Sequence, residues 1–270
     1  MWPDNGADNQ PMYLYDILAE TYSTITISNP SAWNPSGYAY QKWRSSDSYM
    51  CGRESTFYIL QISCWVAEAG NNQVCIYKAE LDGTTVTLTR IVSNPTNTAD
   101  YPESPKASSG CHVTADNRLV YVQGLYNSYY QNKIIELDLT TNSHAETYEQ
   151  SLWSDSSSGA MDRAYPTVTA DDSTILYIYN SNLYSINRIT KATSLAVGLS
   201  SLGYLWGVTA VGNEHAYVGT KKSIYKVNFN NGDIDLFAGP GDDVNSNWPS
   251  SRGSDGASSS ASFNRPIHII

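Results

Sequence analysis

Four histidines, His112, His144, His215 and His268, are the side chains best suited to hold a metal. His112 and His268 fall at equivalent places, near the start of the first strand in two copies of a repeated unit. A bound metal needs several His or carboxylate ligands converging on one opening. These two are therefore the candidate metal ligands, with zinc or calcium as the candidate ions. The alternative reading, adopted here, makes them hydrogen-bonded interior residues. His144 and His215 sit in turns and read as solvated. Asp116 and Asp171 follow the first strand at its other end and do not join the same opening. Asp233, Asp235, Asp242 and Asp243 offer the oxygen ligands calcium prefers, but not at the spacing of a D-x-D-x-D-G loop. They read as a solvated acidic edge. No serine stands in G-x-S-x-G, and the glycine loop GPGDDVNSN has no lysine and opens no helix. The sequence thus names no catalytic residue and calls for no cofactor.

Aromatic side chains are the stronger lead. Trp33, Trp43, Trp153, Trp206 and Trp248 fall in or beside predicted loops or strand starts, and Tyr126, Tyr129 and Tyr130 crowd one hairpin, LYNSYYQN. Rings in loops at one rim of a rigid scaffold suit the binding of a peptide, protein or sugar. Trp33, Tyr126, Tyr129, Tyr130, Trp153 and Trp248 are the candidate binding residues. Trp206 enters a strand and reads as core. Packing between sheets stays open for the Tyr hairpin and Trp248.

The composition bounds these readings. The chain has 270 residues, with 26 acidic and 16 basic side chains and a net charge of -10. That length suits one large domain or two small ones. An isoelectric point near 4.7 argues against nucleic acid, because phosphate binding needs a basic face. No window approaches the ~18 consecutive apolar residues of a membrane span. The opening MWPDNGADNQ has neither the basic nor the apolar region of a signal peptide, which a trimmed chain would have lost. Tyr outnumbers Phe 21 to 4, the profile of strands whose rings are half-buried with a wet hydroxyl. Little helix is expected. Cys51, Cys64, Cys75 and Cys111 form no C-x-x-C pair, which disfavours a structural zinc site. Cys64 and Cys75 flank AGNN in a predicted hairpin, so either a cross-strand disulfide or two buried thiols fits. Asn29, Asn34 and Asn94 each precede Pro, which blocks glycan addition. An extracellular or cell-surface, unglycosylated protein is the reading taken.

The elements that must position these residues repeat. Val-Thr-Ala occurs at 113–115, 168–170 and 208–210. A polar turn and a Tyr-centred strand follow each: LVYVQG, ILYIY and HAYVG. Another strand comes next (KIIELDL, NLYSINRI, SIYKVNF), and a short segment closes each unit. A weaker upstream copy reads TFYILQ, SCWVAEAG, QVCIYKAEL and TVTLTRI. MYLYDI and STITIS look like the second and third strands of another copy, whose first strand would be FNRPIHII at the other end of the chain. Such a join closes a ring and removes two exposed edges. The predicted architecture is an all-β propeller of four-stranded antiparallel blades in a single domain, 1–270. Its blades are 266–270 plus 12–50, 58–107, 111–160, 165–203 and 205–262. Five blades are counted, or six if the chain is a fragment.

LFAGPG at 236–241, Asp255-Gly256, Ala261 and Phe263-Asn264-Arg265-Pro266 together resemble the NHL-repeat pattern of β-propellers. The match spans about 35 residues, carries an insertion, DDVNSNWPSS, and is absent from the earlier units. Gly239, Gly241 and Gly256 are read as turn glycines with positive φ. The resemblance implies a binding platform, a ligand-sensing ectodomain or, less often, an enzyme. The preferred function is a non-catalytic scaffold, monomeric, binding a protein, peptide or glycan through loops at one face. Its acidity suits a neutral or basic partner. One alternative is a metal-dependent lyase or lactonase with His112 and His268 in the channel. The other is the sensor portion of a longer receptor.

Overall fold

The structure, a computed structural model, describes residues 12–16, 18–28, 48–53, 56–65, 72–92, 105–125, 132–148 and 166–241. Strands β1 (Met12–Asp16) and β2 (Thr21–Ile27) form an antiparallel hairpin. Strands β3 (Ser48–Arg53), β4 (Thr56–Trp65), β5 (Asn72–Asp82) and β6 (Thr85–Val92) make the first antiparallel sheet. The second holds β7 (Pro105–Val113), β8 (Arg118–Leu125), β9 (Asn132–Asp138) and β10 (Ser143–Tyr148). The third holds β11 (Thr167–Val168), β12 (Thr174–Tyr179), β13 (Asn182–Asn187) and β14 (Thr193–Gly198). The fourth holds β15 (Gly207–Val211), β16 (His215–Gly219), β17 (Ile224–Asn228) and β18 (Ile234–Ala238). The first strands of successive sheets are neighbours: β3 packs on β7, β7 on β11 and β11 on β15. This is the all-β propeller arrangement the repeats predict.

The second strand of each sheet explains why the apolar runs are continuous. Leu119 and Tyr121 of β8 pack toward the first sheet with Tyr58, Leu60 and Ile76. Val120 and Val122, on the other face, pack against Val168, Ile175 and Tyr177 of the third sheet. In β12, Leu176 and Ile178 turn to the fourth sheet, meeting Val208, Ala216 and Val218. A strand covered on both faces needs apolar residues at every position, not alternate ones.

Two of the Val-Thr-Ala turns share a side-chain pattern, and all three share a left-handed residue. Thr114 Oγ1 donates to Asp116 Oδ1 at 2.5 Å and accepts from the Arg118 N–H at 2.9 Å. Thr169 Oγ1 repeats this with Asp171 Oδ1 at 2.7 Å and the Thr174 N–H at 3.1 Å. Asn117, Asp172 and Gly212 occupy the same left-handed place, at φ 59°, 57° and 66°. The turns are also stitched sideways. The Ala115 N–H donates to Asp172 Oδ2 at 2.6 Å, and the Ala170 N–H to the Gly212 carbonyl at 3.2 Å.

Three expectations are corrected. TFYILQ and the ISCW after it form one ten-residue strand, β4, because no turn residue separates them. The first strand of that sheet is therefore β3, beginning at Ser48 and not near Tyr58. A bulge in β4 between Gln61 and Cys64 sets Cys64 opposite Gln73 and Cys75 opposite Gln61, so the two cysteines are not directly opposite one another. A disulfide joins Cys51 of β3 to Cys111 of β7, with Cα atoms 5.6 Å apart. The β1–β2 hairpin forms as expected, and the end of β2 adds in parallel to β6, Thr26 and Ile27 facing Thr85 and Val86. The C-terminal strand expected to join that hairpin, 266–270, lies outside the described residues.

Candidate functional site

Two ends of the sheets are chemically different. At one end stand the Val-Thr-Ala turns and the third-to-fourth-strand turns. Asp138 Oδ1, Asn187 Oδ1 and Asn228 Oδ1 each accept two backbone N–H groups from the turn that follows, at 2.8 to 3.2 Å. Asn142, Lys191 and Gly232 then take the left-handed place at φ 53°, 61° and 86°. This Asx turn is a second repeat signature, carried by the polar residue that closes each third strand.

The residue after that polar position reaches back to the preceding turn in every copy. The N–H groups of Leu139, Arg188 and Phe229 donate to the carbonyls of Asn117, Ser173 and Glu214, at 3.0, 2.9 and 2.9 Å. Leu139 and Phe229 pack into the apolar clusters beside them. Arg188 does something else. Its Nε donates to Glu136 Oε1 at 2.6 Å and its Nη2 to Glu136 Oε2 at 3.0 Å. Nη1 donates to the Asp172 carbonyl at 2.7 Å, and Nη2 also reaches Asp116 Oδ2 at 3.1 Å. Tyr148 Oη donates to Glu136 Oε1 at 2.8 Å. Glu136 lies on β9 and Arg188 just after β13, so the network ties the second sheet to the third.

These residues line an open cleft of about 960 Å³, with Arg118, Asp138, Asp171, Asp172 and the exposed Ile189 on its walls. Arg118 pairs with Asp138 at 3.0 Å. Partial burial raises the Asp116 carboxyl, but the Thr114 hydroxyl and the Arg188 guanidinium outweigh it and hold the group below the usual carboxylate range. The Thr169 hydroxyl and the Ser173 N–H and hydroxyl lower Asp171 likewise. Hydrogen bonding to the Glu136 carboxylate pushes Arg188 above its ordinary value. The cleft is acidic on balance, and its charges are engaged in holding turns together.

The other end carries the predicted binding residues' attachment points. The second and third strands meet there, at Leu125 and Asn132 in the second sheet, and the fourth strands end there, at Tyr148 and Ala238. The side-by-side turns orient the sheets alike, so this end is common to them. The segments that leave it hold Tyr126, Tyr129 and Tyr130, then Trp153, then Trp248; the segment that enters β3 holds Trp33. All six residues lie outside the described residues.

His268 lies outside them too, as do Asp242 and Asp243. His112 is half-buried on β7, opposite Val120. Because β7 begins at Pro105, His112 stands near the end of its strand, beside the Val-Thr-Ala turn, and not near the start as expected. Asp233 and Asp235 are exposed. Trp206 is 6% exposed, in the core as predicted. Among the described residues, no three His, Cys, Asp or Glu side chains converge as a metal site. None of their helices is long and apolar enough to cross a membrane. The Arg188–Glu136 network went unpredicted. A charged residue at 188 where the other copies have Leu139 and Phe229 was the available signal.

No family model and no curated protein match this chain in sequence. Solved structures do match its fold. A luciferin-regenerating enzyme aligns with a TM-score of 0.51 at 11% identity, over 83% of this chain and 66% of that one. The periplasmic gluconolactonase of Pseudomonas aeruginosa aligns at 0.50 and 8% identity, over 93% and 68%. The chain thus spans about two thirds of the length of these propeller-type structures. The class the comparisons define is the β-propeller fold, and the likeness carries the fold alone.

Proposed function

We propose that the chain is a non-catalytic β-propeller scaffold that binds a protein, peptide or glycan through loops at one face. One observation supports this reading: the strand ends that flank the segments holding Tyr126, Tyr129, Tyr130, Trp153 and Trp248 lie at one common end of the sheets, opposite the stitched turns. Rigid sheets supporting aromatic loops on one side suit recognition, since ordering costs are already met by the scaffold. A net charge of -10 speeds encounter with basic partners and does not oppose neutral ones. The stretch 236–270 supports an NHL-like affiliation. The Cys51–Cys111 disulfide supports an oxidising, extracellular setting.

The test is selection of ligands from a peptide-display library and a glycan array on the immobilised chain. A Tyr126→Ala/Tyr129→Ala/Tyr130→Ala variant and a Trp153→Ala/Trp248→Ala variant run in parallel. Saturable ligands that lose about tenfold or more in affinity on either variant are the expected result. Ligands unaffected by both variants would move binding away from this face. Stoichiometric zinc or calcium that disappears in His112→Ala/His268→Ala would replace the scaffold with the metal-dependent enzyme.

A further inference from the structure

Arg90 presents a charged edge with nothing to hold. It lies on β6 opposite Tyr77, in the cross-strand row Met50–Ile59–Tyr77–Arg90. Ile59 and Tyr77 are 2% and 1% exposed. Arg90 Nε and Nη2 are both shielded from solvent and have no hydrogen-bond partner among the described residues. Shielded N–H groups without an acceptor are unfavourable, and such an orphan edge in a folded protein calls for a counter-group. Burial raises the Tyr77 phenol, and the charge of Arg90, its cross-strand neighbour, acts against that rise.

Which two nitrogens are free matters. Nε–H and one Nη2–H point in parallel along one edge of the guanidinium, the fork that takes both oxygens of a carboxylate. The same chain shows that edge filled: Arg188 gives Nε and Nη2 to the two oxygens of Glu136, at 2.6 and 3.0 Å. We propose that the Nε–Nη2 edge of Arg90 is a binding site for a ligand carboxylate. Arg90 stands two residues before the end of β6, at the same end of the sheets as the strand ends that flank the candidate aromatic residues. A carboxylate held there would be an anchor beside that face, but the site does not depend on the loops binding anything.

The probe is acetate titrated at constant ionic strength, with chloride as balance and sulfate as a second series. The readouts are the Arg90 Nε–H resonance of the intact protein and its Tm. A saturable shift of that resonance with a parallel rise in Tm is expected. Arg90→Lys keeps the charge without the fork and should bind acetate about tenfold more weakly. Arg90→Gln should lose the Tm response while being at least as stable as the parent in acetate-free buffer. A resonance that moves with neither anion overturns the proposal. So does an Arg90→Gln variant that is destabilised without acetate, because a carboxylate of the chain itself would then occupy the edge. A response to sulfate that exceeds the response to acetate overturns the assignment to a carboxylate.

Discussion

Arg188 and Glu136, 52 residues apart in sequence and on different sheets, form a side-on bidentate ion pair, Nε to Oε1 at 2.6 Å and Nη2 to Oε2 at 3.0 Å. Their side chains are only 11% and 7% exposed. Tyr148 and the Asp172 carbonyl supply further hydrogen bonds, so the charges are desolvated but satisfied. The pair takes a place that Leu139 and Phe229 fill with carbon in the neighbouring copies.

Removing one partner leaves the other charge buried, which costs about 3–5 kcal/mol. Arg188→Met should therefore lower stability by about 3 kcal/mol in urea unfolding. Glu136→Gln/Arg188→Met, with no orphan charge, should recover a large part of that loss. Additive single effects in the double-variant cycle would show that the two side chains are not coupled.

The disulfide gives a second expectation. Cys51 and Cys111 stand 60 residues apart and join the first strands of adjacent sheets. A crosslink closing a loop of that length stabilises by about 2–4 kcal/mol, chiefly by restricting the unfolded chain. Cys51→Ala/Cys111→Ala should lose that much, and dithiothreitol should lower the Tm of the parent more than that of the variant. A parent whose Tm ignores the reductant at equilibrium would contradict the bond.

These two features show what the sequence did and did not disclose. The strand order was legible because ILYIY and LVYV are apolar at every position, as strands covered on both faces must be, and because Val-Thr-Ala marks the turn before each. The turn glycines Gly239 and Gly241 were legible too, and take φ 102° and 78°. The disulfide was not. Cys51 and Cys111 are each two residues before the end of a first strand. That equivalence was hidden once TFYILQ was read as the first strand of its sheet. The ion pair was hidden for another reason: Glu136 and Arg188 meet only through packing of one sheet on the next, which strand rhythm does not report. The aromatic candidates lie outside the described residues and keep the standing of expectations.

Acid should loosen the stitched turns. Asp116 and Asp171 have folded pKa values below the usual carboxylate range. A depressed folded pKa contributes stability that is present above the unfolded value of about 4 and is lost as pH falls through the folded value. Stability should thus fall off below pH ~4. Asp116→Asn should flatten that limb and lower stability at neutral pH, where the Arg188 contact is lost. An unchanged acid limb in Asp116→Asn would remove this carboxylate from the account.

Gly239 and Gly212 both have positive φ, yet substitution should separate them sharply. A Cβ on Gly212 meets nothing within 4 Å, so Gly212→Ala costs only the left-handed penalty of about 1 kcal/mol. A Cβ on Gly239 would lie 2.7 Å from the Lys222 carbonyl oxygen and from Ser223 Cα. Those are backbone atoms, and Ser223 is fully buried, its Oγ accepting the Gly241 N–H at 3.0 Å. Tyr225 Oη donates to the Gly241 carbonyl at 2.8 Å, so the chain is gripped twice just after β18. Gly239→Ala must displace that grip or the turn beneath it, and should cost about 2 kcal/mol or more. Parallel urea unfolding of the two variants is the measurement. Equal losses would mean that the close approach at Gly239 relaxes freely, and that the segment after β18 is not fixed by Ser223 and Tyr225.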